Sequence, residues 1–168
     1  PAGLGLGRLE TEQGRYGVAE EYLREAVALF RKLGSSSLEV EARLALAESL
    51  ISAGRLASAE VELEGLEDRE LRADQRDGLD QQWGLYHLRA SRGDDADGTH
   101  LAKALGYLRQ GVEENAGSLQ MPELAERWLA LIEAEAWGDG EGAAEAGDRA
   151  RAMLSARLGE VPSQASRA

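Results

Sequence analysis

A turn glycine followed by apolar residues at fixed intervals occurs twice in this 168-residue chain, 40 residues apart, and no other feature constrains the fold as much. The first copy is Gly14, Tyr16, Ala19, Leu23 and Ala26; the second is Gly54, Leu56, Ala59, Leu63 and Leu66. Steps of three and four put small and large apolar side chains on one helical stripe, and the glycine ends the helix before it. A hairpin of two such helices cannot bury its stripe alone. Recurrence at this length therefore predicts hairpins stacked into a helical-repeat array.

The rest of the chain can be placed around these two copies. Leu4, Leu6, Gly7 and Leu9 form the apolar face of a helix ahead of Gly14, and the next helix is expected from Tyr16 to Leu33. Gly34 stops it, with Ser35, Ser36 and Ser37 as N-cap candidates for the one that follows. Leu38 to Ala53 is amphipathic through Val40, Leu44, Ala47, Leu50 and Ile51, and Leu56 to about Leu71 returns antiparallel to it. Residues 68–80 are charged and read as a linker or as extensions of the flanking helices.

A third pair follows from Leu79, Trp83, Tyr86 and Ala90, then Leu101, Ala104, Leu108 and Gly111. Its connection, residues 91–100, is longer than the other turns, and Ala59 to Ala104 is 45 residues. Pro122 suits the first turn of a further helix carrying Leu124, Trp128, Leu131, Ile132 and Trp137. Ala143, Gly147, Ala150 and Leu154 define its partner, with Ala104 to Ala143 spanning 39 residues. Strand patterns are absent. The expectation is an all-α chain of four antiparallel hairpins, units 1–35, 36–73, 74–117 and 118–160, in one repeat domain with a tail at 161–168.

Charge narrows the function. The chain carries 19 Lys and Arg against 31 Asp and Glu, a net −12, spread over both halves. Such a balance argues against a phosphate backbone as partner, so no nucleic acid is expected. No run of about 18 apolar residues or signal-like opening is present, so a cytoplasmic chain without a membrane span is expected. The opening Pro-Ala reads as a piece of something longer, and the absence of cysteine excludes disulfides and thiolate metal sites.

These residues resemble the tetratricopeptide repeat family. Unit one matches with Leu6-Gly7, Gly14, Tyr16, Ala19-x3-Leu23 and Ala26, and unit two with Leu46-Ala47, Gly54, Leu56 and Ala59-x3-Leu63. Trp83-Gly84 with Ala104-x3-Leu108 and, more weakly, Ala143-x3-Gly147 extend the match. The period near 40 residues is similar to longer variants found in bacterial regulatory and scaffold proteins. The resemblance implies a right-handed α-solenoid without chemistry of its own, acting as a protein- or peptide-binding segment of a larger protein. A structural spacer or self-association array, with homo-oligomers, and a small-molecule sensor closed by residues 91–100 are the alternatives.

The family register places Arg8 and Glu12 of unit one on the groove-facing side of first helices. It adds Glu41, Leu44, Glu48 and Ser52 of unit two, and Trp128, Ile132 and Glu135 of unit four. Trp128 would be an aromatic anchor, and the acidic balance favours a partner segment carrying Lys or Arg. No catalytic residue, metal or cofactor is expected. His87 and His100 have no cysteine partners, and Asp94, Asp95, Asp97 and Gly98 fit a calcium loop poorly, because Ala104 occupies the bidentate glutamate position.

Overall fold

A computed structural model describes the backbone of residues 2–93, 98–115, 121–138 and 141–160. Side chains are described for all of these except 114, 115, 121–123, 141 and 157–160. The eight helices among them are α1 (Ala2–Glu12), α2 (Tyr16–Lys32), α3 (Ser36–Ser52), α4 (Leu56–Glu67), α5 (Ala73–Ala90), α6 (Thr99–Asn115), α7 (Met121–Trp137) and α8 (Glu141–Glu160). The described residues contain no strand, and no helix among them is long and apolar enough to cross a membrane. Asp94, Asp95 and Asp97 of the calcium-like stretch, and the tail at 161–168, lie outside the described residues.

Three connections in the first half share one backbone solution. Gly14, Gly34 and Gly54 have φ of 72°, 66° and 74°, a left-handed conformation that side chains disfavour. After each, a backbone N–H reaches back across the turn: Arg15 to Glu10 O at 2.9 Å, Ser35 to Phe30 O at 2.9 Å and Arg55 to Leu50 O at 2.8 Å. Each glycine N–H also bonds the carbonyl three residues before it, as in a Schellman motif. The serines after Gly34 act differently from expectation. Ser35 makes no side-chain cap, and Ser37 instead accepts hydrogen bonds from Arg72 at 2.8 Å and Gln75 at 3.1 Å, tying α5 to the start of α3.

A methyl group at Gly34 would meet nothing within 4 Å, so substitution there tests conformation alone. Gly34→Ala is expected to cost about 1–2 kcal/mol. Gly17, inside α2 with equally open space, should gain roughly 0.5–1 kcal/mol on change to alanine. Urea denaturation of the two variants measures both, and the same sign for both would remove the left-handed turn from the account.

The chain divides into two compact units, Pro1–Ala104 and Leu105–Ala168, and α6 runs across the division. In the first unit each helix packs on the next from α1 to α5, and α1, α3 and α5 also lie side by side. Its core holds Ala19, Leu23, Phe30, Leu46, Leu50, Ala59, Leu63, Leu66 and Leu79, each no more than 1% exposed. Ala19 and Ala59 therefore occupy buried crossing positions, as expected. Gly7 makes the α1–α2 crossing tightest, since a Cβ there would sit 2.5 Å from Leu23 Cγ.

In the second unit α7 packs on α8, with Leu108, Leu124, Trp128, Leu131 and Ala134 buried. The expected small positions of α8 need correction. Ala143 and Gly147 are half-buried, whereas Ala146 and Ala150 are buried at 6% and 5% exposure.

Candidate functional site

Helix order within the first unit decides which surface can receive a partner. α1 touches α3 and α3 touches α5, whereas α2 and α4 do not touch each other. The layer containing α2 and α4 is thus the more widely spaced, and the strip across α1, α3 and α5 is the concave side. On α3, Glu41, Leu44, Glu48 and Ser52 follow each other at steps of three, four and four, which keeps all four on one face. Glu48 and Ser52 are exposed, and Glu41 and Leu44 are half-buried. Arg8 and Glu12 on α1 are exposed.

Neighbouring groups modify this strip. Glu41 lies 3.6 Å from Arg72, so its charge is partly met within the chain. A Cβ built on Gly78 would stand 3.2 Å from Leu44 Cδ1, which places α5 close against α3 at that point. Arg89, also on α5, is exposed near Gly54.

The residues expected from unit four behave differently. Trp128 is 1% exposed and lies under the Arg149 guanidinium, 5.7 Å from its ring centroid, so it is a core residue and not an exposed anchor. Glu135 is 7% exposed and held by Arg109 at 2.5 Å and 2.8 Å, with its carboxylate filling the space beside Gly142. Ile132 is half-buried. The exposed row of α7 is instead Glu126, Leu129, Glu133 and Trp137, with Leu129 65% and Trp137 52% exposed.

A signal for that row was present in the sequence. Glu41-Ala-Arg-Leu-Ala-Leu-Ala-Glu48 and Glu126-Arg-Trp-Leu-Ala-Leu-Ile-Glu133 share Glu-x-x-Leu-Ala-Leu-x-Glu, which aligns α7 with α3 directly. Aligning through Ala143 instead shifts α7 by one position. One residue turns a helix by about 100°, enough to exchange a buried side for an exposed one.

Two other clusters bear on chemistry. His87 and His100 share a hydrogen bond, Nδ1 to Nδ1 2.8 Å, with His87 stacked on Trp83 and Trp83 Nε1 donating to Glu67 at 2.5 Å. Among the described residues no group of three or more His, Asp or Glu side chains is placed to hold a metal ion. Burial, with the charges of Glu60 and Glu64, pushes the Tyr86 hydroxyl up to about 12, so it serves as a donor and not as a base. Between α2, α3 and α4 a cavity of about 190 Å³ is lined by Arg24, Val27, Ala28, Arg31, Arg43, Leu46 and Glu62. It is smaller than the roughly 300–1,000 Å³ of usual small-molecule sites and ringed by charge, which does not favour the sensor alternative.

No curated protein and no solved structure matches the chain. A family model described as tetratricopeptide repeat matches residues 10–76, the stretch that runs from the end of α1 into α5. Repeats of this family generally mediate protein–protein contacts and are typically non-catalytic. The glycine turns, the buried alanine crossings and this match agree: through residues 10–76 the protein belongs to the tetratricopeptide repeat family.

Proposed function

We propose that the protein is a non-catalytic module that binds a protein or peptide segment along the strip of α1, α3 and α5. The observation that carries this reading is the outward row of α3. Glu41, Leu44, Glu48 and Ser52 keep one face while Val40, Leu46 and Leu50 fill the core. An apolar side chain between carboxylates suits a partner with Lys or Arg on either side of an apolar residue. Charge would set the rate and orientation of association, and burial against Leu44 would hold the complex. Glu12 and Glu48, both exposed, supply charge that can be reversed with less disturbance than Glu41, which has Arg72 beside it.

Glu12→Lys with Glu48→Lys is therefore expected to weaken capture of basic–apolar peptides on an array by about tenfold or more, with an unchanged melting midpoint. Wild-type affinity should also fall as salt rises toward physiological strength, where the Debye length is about 8 Å. Selection of acidic peptides, or equal binding by the reversed protein, overturns the reading and favours a spacer.

A further inference from the structure

We propose that α7 carries a second docking face of the same kind, for a helical segment with two cationic side chains bracketing an apolar one. The inference rests on reading the outward row of α3 as a docking face. Glu126, Leu129 and Glu133 reproduce Glu41, Leu44 and Glu48 in identity and in spacing. In each helix the two carboxylates are seven residues apart, about 10.5 Å along the axis, with the leucine between them.

Packing does not account for the repetition. Trp128, Leu131 and Ala134 serve the core of α7, while Glu126, Leu129 and Glu133 are exposed. Positions pointing outward are the least constrained by stability. The residues between them differ in the two helices, as Ala42 against Arg127, Arg43 against Trp128 and Ala47 against Ile132.

The two faces differ at their ends. Where α3 has Ser52, α7 has Trp137, 52% exposed and on the same row. With Leu129 it gives α7 a large apolar surface edged by carboxylates. Tryptophan is enriched among residues that dominate binding energy, so the α7 face should be the tighter of the two. A partner helix with lysines seven positions apart and a leucine midway matches the carboxylate spacing and lays its apolar side on Leu129 and Trp137.

The test uses that designed helical peptide, and the same peptide with glutamate for lysine, in calorimetric titration and tryptophan emission. Trp83 and Trp128 are buried, so an emission change on binding reports Trp137. Wild type is expected to bind two equivalents with an emission change. Glu126→Lys/Glu133→Lys should bind one without the change, and Glu12→Lys/Glu48→Lys one with it. Trp137→Phe should lose the change and weaken the tighter event by about tenfold. Circular dichroism melts establish that each variant is folded.

One equivalent in wild type, indifferent to the α7 reversal, overturns this inference and leaves the α3 reading standing. One equivalent lost only on the α7 reversal supports this inference and overturns the α3 reading. Equal binding of the glutamate peptide, or no saturable binding, overturns both. Self-association that Leu129→Asp abolishes would make the α7 face a contact between copies and overturn the peptide partner.

Discussion

Leu23→Ala lowers the free energy of unfolding by about 2–5 kcal/mol, and a second change at Gly7 recovers part of that loss. Leu23 is fully buried, and its side chain lies where any Cβ on Gly7 would go, 2.5 Å from Leu23 Cγ. Truncating Leu23 leaves a cavity under α1. Gly7→Ala alone forces a methyl group into Leu23, and overpacking of this kind costs about 1–3 kcal/mol. Combining them lets the methyl group occupy part of the vacated space and removes a helical glycine. The double variant is expected to be more stable than the sum of the single effects by roughly 1 kcal/mol or more. Urea denaturation of the four proteins measures the coupling. Additive effects would mean that α1 and α2 do not cross at this pair.

Glu39→Gln is expected to cost about 1–3 kcal/mol at neutral pH and to flatten the acid limb of the stability profile. Glu39 is 5% exposed, and its Oε1 accepts from Arg31 at 3.3 Å, Arg43 at 3.2 Å and Arg69 at 3.2 Å. Burial alone would raise its carboxyl. The charge of Arg69 and the hydrogen bonds from Arg31, Arg43 and Arg69 outweigh burial and hold it below the usual carboxylate range. The sign follows from that direction. The folded carboxyl binds its proton less readily than the unfolded one, so this stabilisation is complete above the unfolded value of about 4.3. It is lost as pH falls through the lower folded value, while the arginines stay charged. Arg31 is largely exposed, with 59% of its side chain in water, which keeps the expected cost below that of a fully buried pair. Thermal melts between neutral and acidic pH compare the proteins. An equally steep acid limb in Glu39→Gln would assign the acid sensitivity elsewhere.

Glu39 also shows how far a sequence can be read. Its helix was expected from Leu38 to Ala53 and runs from Ser36 to Ser52, and the helix expected from Tyr16 to Leu33 ends at Lys32. Helix ends depend on local chemistry, and the glycines at 14, 34 and 54 mark them whatever packs nearby. Nothing local marks Glu39 as a buried acceptor. Arg31 comes from α2 and Arg69 from beyond α4, and only folding brings them to α3.

The groove residues divide along the same line. Glu41, Leu44, Glu48 and Ser52 could be placed because Gly54 and Ala59 fix the register of their hairpin by short distances along the chain. Trp128 and Glu135 were misplaced because the alignment was anchored at Ala143, across residues 138–140, where spacing in sequence no longer measures spacing in the fold. By itself the sequence determined the helices, their glycine turns and the stacking of hairpins, since each follows from periodicity and backbone conformation within a few residues. The tertiary structure alone decided which side of α7 meets the core and which carries Glu126, Leu129, Glu133 and Trp137. A helix exposes whichever side its neighbours leave open, and a single residue of offset turns that side by about 100°.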